Sequence, residues 1–305
     1  MQILAVVVRY KTPIAESQTL QGLAQALAAD PALAAAYKVL IWDNSPEPLL
    51  DPQLPIPFEY RHSERNLGVS GAYNSAMEFA EAHGHVWMLL LDQDSTVTSH
   101  YLQTMLRHSR ELEGRNEIAA IAPTVKMGTY TASPKILGFN GRTQDYPPGE
   151  CGIAEGRVIA VNSGCVMRTS ALRSIGGFDT DFWLDYSDLY VFHQYFLKGK
   201  KVWRAADTEL QHEMTMLDYD GLMSPWRYRN YSYAETAYTD LYYGRIEALL
   251  QHLKLIARAA KQRLKFKNSE FSRITMEQFF YRLRVRRQER LARFRAEGKS
   301  RLESS

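Results

Sequence analysis

The sequence has little cysteine. Cys151 and Cys165 are the only two. They are too few for a disulfide framework and are not spaced as a metal-binding pair, so a reducing compartment is the expectation. Long apolar runs are missing too: no stretch approaches the roughly 20 apolar residues of a membrane helix. The opening Met1-Gln2-Ile3-Leu4-Ala5-Val6-Val7-Val8 has no basic n-region and no small-residue cleavage site, and so reads as a strand rather than a signal peptide. Glycine is absent from Arg9-Tyr10-Lys11-Thr12-Pro13. A sugar-phosphate nucleotidyltransferase would carry its Gly-rich, basic phosphate loop there, which counts against that class. Gly68 and Gly71 do not complete G-x-G-x-x-G, so the dinucleotide fingerprint is absent as well. No internal repeat is visible.

What is present is organised around His85-Val86-Trp87-Met88-Leu89-Leu90-Leu91-Asp92-Gln93-Asp94-Ser95. The unbroken apolar run from Val86 to Leu91 predicts a strand buried on both faces. It stops at two carboxylates one residue apart. Alternate side chains of an extended segment share a face, so Asp92 and Asp94 can point to one spot at the strand's C-terminal edge, where open α/β sheets place ligands. Two hard oxygen donors there suit Mg²⁺ or Mn²⁺ carrying a diphosphate. A bare Asp-x-Asp is also an ordinary acidic turn or helix cap.

Strands and helices alternate around this run. Ile3 to Val8, Lys38 to Trp42 and the short Phe58 to Arg61 read as strands. Leu20, Leu23 and Leu27 recur at helical spacing, and the turn Arg65 to Asn74 leads into a helix ending near Ala82. Later come a helix over Ser99 to Glu111, strands at Ile118 to Ala122 and Arg157 to Val161, and a Gly-, Pro- and Thr-rich loop or flap between those two strands. A helix over Thr169 to Ser174, another ending near Leu197, and a strand at Lys201 to Arg204 complete this part. The rhythm predicts an α/β fold with a doubly wound, mostly parallel sheet binding a nucleotide-type ligand at its carboxyl edge. The glycine turn offers either a loop with a helix start or backbone N–H groups near a phosphate.

Composition is that of a globular chain, but charge is uneven. From Gln251 onward there are 16 Lys/Arg against 5 Glu, leaving the preceding residues acidic under a net charge of +3. The expected division is residues 1–225 as a catalytic domain and 226–305 as a basic helical extension. Phe280, Leu283, Leu291 and Phe294 fall near one helical face there. That pattern fits either a solvated helix packed on its own domain or an anchor on anionic lipid. No base-reading or stacking module accompanies the charge, so nucleic acid is not the expected partner. The tyrosines from Tyr228 to Tyr243 suit helix packing or sugar stacking.

Asp43, Asp92, Asp94, Asp185, Asp188 and His212 each follow a predicted strand or begin a helix. Taken together they suggest one site. His212 is a plausible third ligand beside Asp92 and Asp94. Asp185 and Asp188, set among Phe182, Trp183 and Tyr186, suit a general base with a raised pKa or simple helix caps.

The segments Trp42-Asp43-Asn44-Ser45, Arg65 to Asn74, Leu91-Asp92-Gln93-Asp94-Ser95, Ser163-Gly164, Gly176-Gly177-Phe178-Asp179, Leu184 to Asp188 and His212-Glu213 appear in a family's order. The chain resembles family-2 inverting glycosyltransferases of the GT-A fold, and within them the bacterial rhamnosyltransferase branch. The resemblance implies that Tyr10, Asp43, Asn66, Gly71, Asp92 and Gln93 line the nucleotide-sugar site, Asp43 at the pyrimidine base. It implies that Asp94, Asp92 and His212 hold Mg²⁺ or Mn²⁺, and that Asp185 is the catalytic base with Asp188 as alternate. The implied donor is dTDP-rhamnose, with UDP-galactofuranose or another UDP-hexose behind it. The implied acceptor is a lipid-linked glycan at the cytoplasmic membrane face. The competing reading of another class is a non-catalytic membrane-peripheral binding protein. Arg9-Tyr10-Lys11 departs from the commoner Thr-Tyr-Asn, and Met214-Thr215 stands where a glycine usually follows His-Glu.

Overall fold

The computed structural model describes residues 2–49, 53–138, 142–212, 223–266 and 268–304, the last six by backbone alone. Glu213, Met214 and Thr215 therefore lie outside the described residues. The chain folds as two compact units. One is Met1–Leu137 with Thr143–Glu213 (and Ser304–Ser305), the other Gly138–Arg142 with Met214–Glu303.

The first unit is built on β1 (Ile3–Arg9), β2 (Tyr37–Asp43), β3 (Phe58–His62), β4 (Trp87–Asp92), β5 (Ser95–Thr96), β6 (Ile118–Met127) and β7 (Tyr130–Ser133), followed by β8 (Lys135–Leu137), β9 (Thr143–Asp145), β10 (Gly152–Ile153), β11 (Val158–Ile159), β12 (Val166–Arg168) and β13 (Lys201–His212). The large sheet runs β10-β13-β6-β12-β4-β1-β2-β3, with β5 on β13 and β7 on β6. The half from β3 through β4 is all parallel. Beyond it, β12 lies antiparallel to both β4 and β6, while β13 runs parallel to β6. The sheet is thus mixed but mostly parallel: β1, β2, β3, β4, β6 and β13 share one direction, and the short β12 and β10 run against them. The reversal comes from β12, three residues long and too short to show a period in sequence. The strand expected at Arg157 to Val161 is only β11, which joins β8 and β9 in a separate small sheet.

Alternation along the parallel strands explains the two-sided core. Ile3, Ala5, Val7, Leu89 and Leu91 face one side, under α1 (Gln18–Ala29), α2 (Pro31–Ala36) and, once α3 (Gly68–Ala82) is counted on the opposite face, α4 (Ser99–Glu111). Leu4, Val6, Val8, Met88 and Leu90 face the other with Tyr73 and Met77 of α3, joined by α5 (Thr169–Ser174) and α6 (Ser187–Leu197). Sequence signals set these helix starts. Ser17 Oγ accepts from the Leu20 N–H, and Asp30 accepts from Ala32 and Leu33 with Pro31 in the first turn. Thr98 accepts from Tyr101. Each such cap satisfies N–H groups that the helix leaves orphaned.

Arg168 at the end of β12 performs the converse task. Its buried guanidinium donates to the carbonyls of Leu112 (2.8 Å), Ile118 (2.9 Å), Glu113 (3.1 Å) and Arg115 (3.2 Å) and lies 4.1 Å over the Trp87 ring. A cation at a helix C-terminus also meets the favourable end of the helix dipole.

The second unit holds α7 (Pro225–Tyr242), α8 (Arg245–Lys265), α9 (Glu270–Arg284) and α10 (Arg287–Ser304). Tyr228 is fully buried. Its hydroxyl accepts from Gln262 Nε2 at 2.8 Å and lies 2.6 Å from Thr275 Oγ1, so this tyrosine packs helices. Several basic residues are internal. Arg290 makes two bonds to the buried Asp240, at 2.7 and 2.8 Å, and Arg258 makes two to Glu235 at 2.6 Å each. The single apolar face expected for the tail does not form, because α9 ends at Arg284 and α10 starts at Arg287. Phe294 is buried, whereas Phe280 and Leu283 are exposed.

Candidate active site

Chain direction delivers the two carboxylates. β4 ends at Asp92, Gln93 and Asp94 turn, and Ser95–Thr96 forms β5 against the end of β13, pairing Ser95 with His212. That pairing puts His212 beside the acidic turn. Its Nε2 lies 3.8 Å from Asp92 Oδ2 and its Nδ1 3.4 Å from Asp94 Oδ1. Donor atoms of Asp92, Asp94 and His212 all fall within 4.8 Å of one another. Two carboxylates and one imidazole in that space are a donor set that fits Mg²⁺ or Mn²⁺.

The turn is held from beneath. Thr19 Oγ1 donates to the Asp92 carbonyl at 2.5 Å and accepts from the Ser95 N–H at 2.8 Å. Ser17 Oγ donates to the Gln93 carbonyl at 2.8 Å, and the Tyr10 N–H donates to Gln93 Oε1 at 2.9 Å. Ser163 Oγ accepts from the Asp92 N–H at 3.0 Å and sits 2.9 Å from Ser95 Oγ, which in turn lies 3.0 Å from His212 Nδ1. The buried Tyr73 hydroxyl donates to Asp92 Oδ1 at 3.1 Å. Burial and the two nearby aspartates raise the Tyr73 pKa well above its ordinary value, so it stays a donor.

Asp185 and Asp188 flank the start of α6. Tyr186 between them takes the left-handed conformation, φ +68°, costly for a non-glycine residue and held only where surroundings over-determine it. The surroundings are visible. Asn74 of α3 donates to the Phe178 carbonyl (2.8 Å) and accepts from the Phe178 N–H (2.7 Å), after Gly176 and Gly177 with φ of +85° and +79°. Ser70 Oγ donates to the Phe182 carbonyl (2.6 Å) and the Ser70 N–H to that of Trp183 (3.3 Å). Desolvation, with the charges of Asp185 and Asp92 adding to it, pushes the Asp188 carboxyl up to about 6 against a hydrogen bond from the Leu189 N–H.

The glycine turn thus spends its N–H groups inside the protein. Gly68 donates to Asn66 Oδ1 at 2.9 Å, Ser70 to Trp183, and Gly71 to the Leu67 carbonyl. A backbone cradle for phosphate is not what those bonds form; instead the turn docks the segment carrying Asp185 and Asp188. Gly68, with φ +65°, is required because a side chain there would strike the Trp183 carbonyl.

Asp43 is fully enclosed. Its carboxylate pairs with Arg9, accepts from the Tyr60 hydroxyl at 2.7 Å and from the Ser45 N–H at 2.9 Å. Burial alone would raise its pKa, but the bonds from Ser45 and Tyr60 and the Arg9 charge outweigh it and hold the carboxyl below its ordinary value. Tyr10, by contrast, is exposed.

Residues 36–176 match the family described as Glycosyl transferase family 2. That match spans just under half of the chain. The fold of the chain is the GT-A fold. The match includes Asp43, Asn66, Gly71, Asp92, Gln93 and Asp94, and ends before Asp185, Asp188 and His212. No curated protein matches the chain. Among solved structures, residues 1–349 of S. aureus TarS share 15% identity over 99% of this chain and 89% of that one, with a TM-score of 0.51. The same TarS fragment in complex with UDP-GlcNAc gives 12% identity, 99% and 82% coverage, and a TM-score of 0.50. GalNAc-T7 with UDP, GalNAc and Mn²⁺ gives 11% identity over 92% of this chain and 55% of that one, with a TM-score of 0.58.

Of the residues anticipated from sequence, the GT-A domain brings Asp92, Asp94 and His212 into one cluster, with Gln93 in the turn and Asp188 near enough for Asp92 to act on its pKa. Asp43 sits at the end of β2, separated from β4 by β1, and is bound to Arg9. Sequence reasoning missed Thr19, Ser17 and Tyr60 as supports. Ser17 had a legible signal as a cap; the bonds of Thr19 and Tyr60 span 73 and 17 residues, and no local pattern marks them.

Proposed function

We propose that this chain is a metal-dependent inverting glycosyltransferase that moves a sugar from a nucleoside diphosphate donor to an acceptor hydroxyl. The observation that carries the reading is the convergence of Asp92, Asp94 and His212 at the carboxyl edge of β4, with the desolvated Asp188 close by. Asp94, Asp92 and His212 would hold the cation, which when bound supplies charge opposing that growing on the diphosphate. Asp188 accepts the acceptor's hydroxyl proton as that oxygen attacks the anomeric carbon and the bond to the diphosphate oxygen breaks on the opposite face. A pKa of about 6 leaves it ionised at neutral pH yet basic enough for the task. Asp185 keeps that pKa raised through its charge. Tyr73 orients Asp92, and Gln93 is fixed by Tyr10 at the rim.

For the donor we infer dTDP-rhamnose first, on the sequence resemblance, with UDP-galactofuranose or a UDP-hexose as the alternative. The UDP and UDP-GlcNAc bound by GalNAc-T7 and TarS favour that alternative. The acceptor is a hydroxyl of a growing, lipid-linked cell-surface glycan. A thermal-shift panel of dTDP, UDP and their sugars, with and without Mn²⁺, tests the reading, since native-state ligands raise apparent stability. Transfer assays then follow the stabilising donors. If no nucleoside diphosphate stabilises the chain with either cation, the reading fails.

A peripheral membrane contact is supported by α8 rather than by the pattern expected on the last helices. Ile246, Leu249, Leu253, Ile256 and Leu264 are all exposed. At 3.6 residues per turn they fall within about 80° of arc, flanked by exposed Arg245, Lys261 and Arg263. An apolar stripe with basic flanks suits an interfacial helix on anionic lipid. No helix of the described residues is long and apolar enough to cross a membrane. Co-sedimentation with anionic liposomes should fall sharply in Leu249→Glu/Leu253→Glu, and unchanged binding would reject this surface.

A further inference from the structure

Outside the candidate active site, three segments distant in sequence converge on one imidazole. His108, near the end of α4, is almost wholly buried. Its Nε2 lies 2.9 Å from Asp207 Oδ1, on β13, and 4.0 Å from the thiol of Cys151, just before β10. Donor atoms of the three residues fall within 4.8 Å of one another. We propose that His108, Cys151 and Asp207 form a Zn²⁺ site separate from the nucleotide centre, tying the end of α4 and the segment before β10 to β13.

The chemistry of the ligands selects the metal. Thiolate, imidazole and carboxylate together are a donor set for Zn²⁺, and too soft for Mg²⁺. Tetrahedral Zn²⁺ with ordinary bond lengths separates a nitrogen from an oxygen ligand by about 3.3 Å and a nitrogen from a sulfur ligand by about 3.6 Å. The observed 2.9 and 4.0 Å bracket these values, so shifts of about half an ångström close the site. A fourth position is left for water.

The unliganded geometry leaves one atom unexplained. His108 Nδ1 is buried and has no hydrogen-bond partner, with Glu111 Oε2 the nearest anion at 3.7 Å. When Nε2 carries the proton that reaches Asp207, Nδ1 is a bare acceptor facing a carboxylate. With Nε2 bound to a metal, the ring proton resides on Nδ1 and points to Glu111. That is the usual carboxylate–histidine–zinc arrangement. Cys151 gives up its thiol proton to solvent on binding. Arg107 pairs with the other oxygen of Asp207, Oδ2, and its Nη2 also lies 3.3 Å from His108 Nε2; it has to move off that nitrogen as the cation binds.

A nucleophilic relay fits less well. Glu111 does face the opposite ring nitrogen, as a relay requires, but Asp207 at 2.9 Å, not Cys151 at 4.0 Å, is the nearer group at Nε2. Burial and the adjacent Asp207 also raise the Cys151 thiol pKa, the reverse of an activated nucleophile.

Co²⁺ titration of the full chain, stripped of metal, tests the site. Wild type and Asp94→Ala should both show a thiolate-to-cobalt charge-transfer band at one equivalent, displaced by Zn²⁺. Cys151→Ser should lose the band, and Glu111→Gln should keep it with affinity about 10–100-fold weaker. Competition with a chromophoric chelator should give one tight Zn²⁺ in wild type that is lost in Asp207→Asn. No charge-transfer band in wild type, a band that survives Cys151→Ser, or one abolished by Asp94→Ala would each overturn the proposal.

Discussion

Asp188→Asn should separate function from stability. The Asp188 carboxyl has a pKa of about 6 in the folded chain against an ordinary 3.8. Folding therefore favours its protonated form. Below about pH 4 the group is neutral in both states and costs nothing. As pH rises from about 4 to about 6 the unfolded chain ionises this group while the native chain keeps its proton, so stability falls; above about 6 both are ionised and the full cost stands. Two pKa units correspond to about 3 kcal/mol of differential interaction. Asparagine fills the same space without the charge. In metal- and nucleotide-free protein it should melt several degrees above wild type at pH 8, and above it by only about a third of that margin at pH 4.5. The same variant should keep donor binding and lose transfer by roughly 10²–10⁴-fold. Thermal denaturation at the two pH values, beside a transfer assay, checks both limbs. Equal melting at pH 8, or a variant less stable there, would refute the desolvation argument. Undiminished turnover would remove Asp188 from the chemistry and return the role to Asp185.

The remaining predictions bear on metal, scaffold and tail. Asp94→Ala should abolish Mn²⁺-dependent nucleotide binding in calorimetry while leaving the melting temperature of the ligand-free chain nearly unchanged. Gly68→Ala should displace Trp183, because the new methyl meets its carbonyl; transfer should fall more than donor affinity, read as kcat against KM. Arg168→Leu should cost about 2–4 kcal/mol in denaturant unfolding by removing the guanidinium bonds to the carbonyls of Leu112, Glu113, Arg115 and Ile118. Asp240→Ala should cost about 3–5 kcal/mol, since it strands the buried Arg290, and the loss should appear in the helical unit when hydrogen exchange is followed.

Much of the first unit was legible because its signals are local. The helix expected over Ser99 to Glu111 forms with those bounds, and the strand expected from the unbroken apolar run forms as Trp87–Asp92. The period of a strand predicted that Asp92 and Asp94 share a face; they do come together, but through the turn at Gln93 and Asp94 after β4 has ended. The lengths of β13 and β12 were not legible. β13 continues to His212 through an irregularity between Ala205 and Glu209, and β12 borrows its stability from neighbours on both sides.

The sequence by itself determined the acidic edge of β4 and the parallel half of the sheet, since hydrophobic period and turn chemistry act between near neighbours. Tertiary structure alone decided what each charge meets. It enclosed Asp43 with Arg9 and Tyr60, set His212 against Asp94 through the pairing of β5 with β13, and turned Arg258 and Arg290 of a seemingly solvated tail inward onto Glu235 and Asp240. It also gathered Cys151, His108 and Asp207, which have no metal-ligand spacing along the chain, around one nitrogen. The physical reason is common to these cases. Charge and coordination act over a few ångströms of space, and only the packing of distant segments fixes which groups share that space.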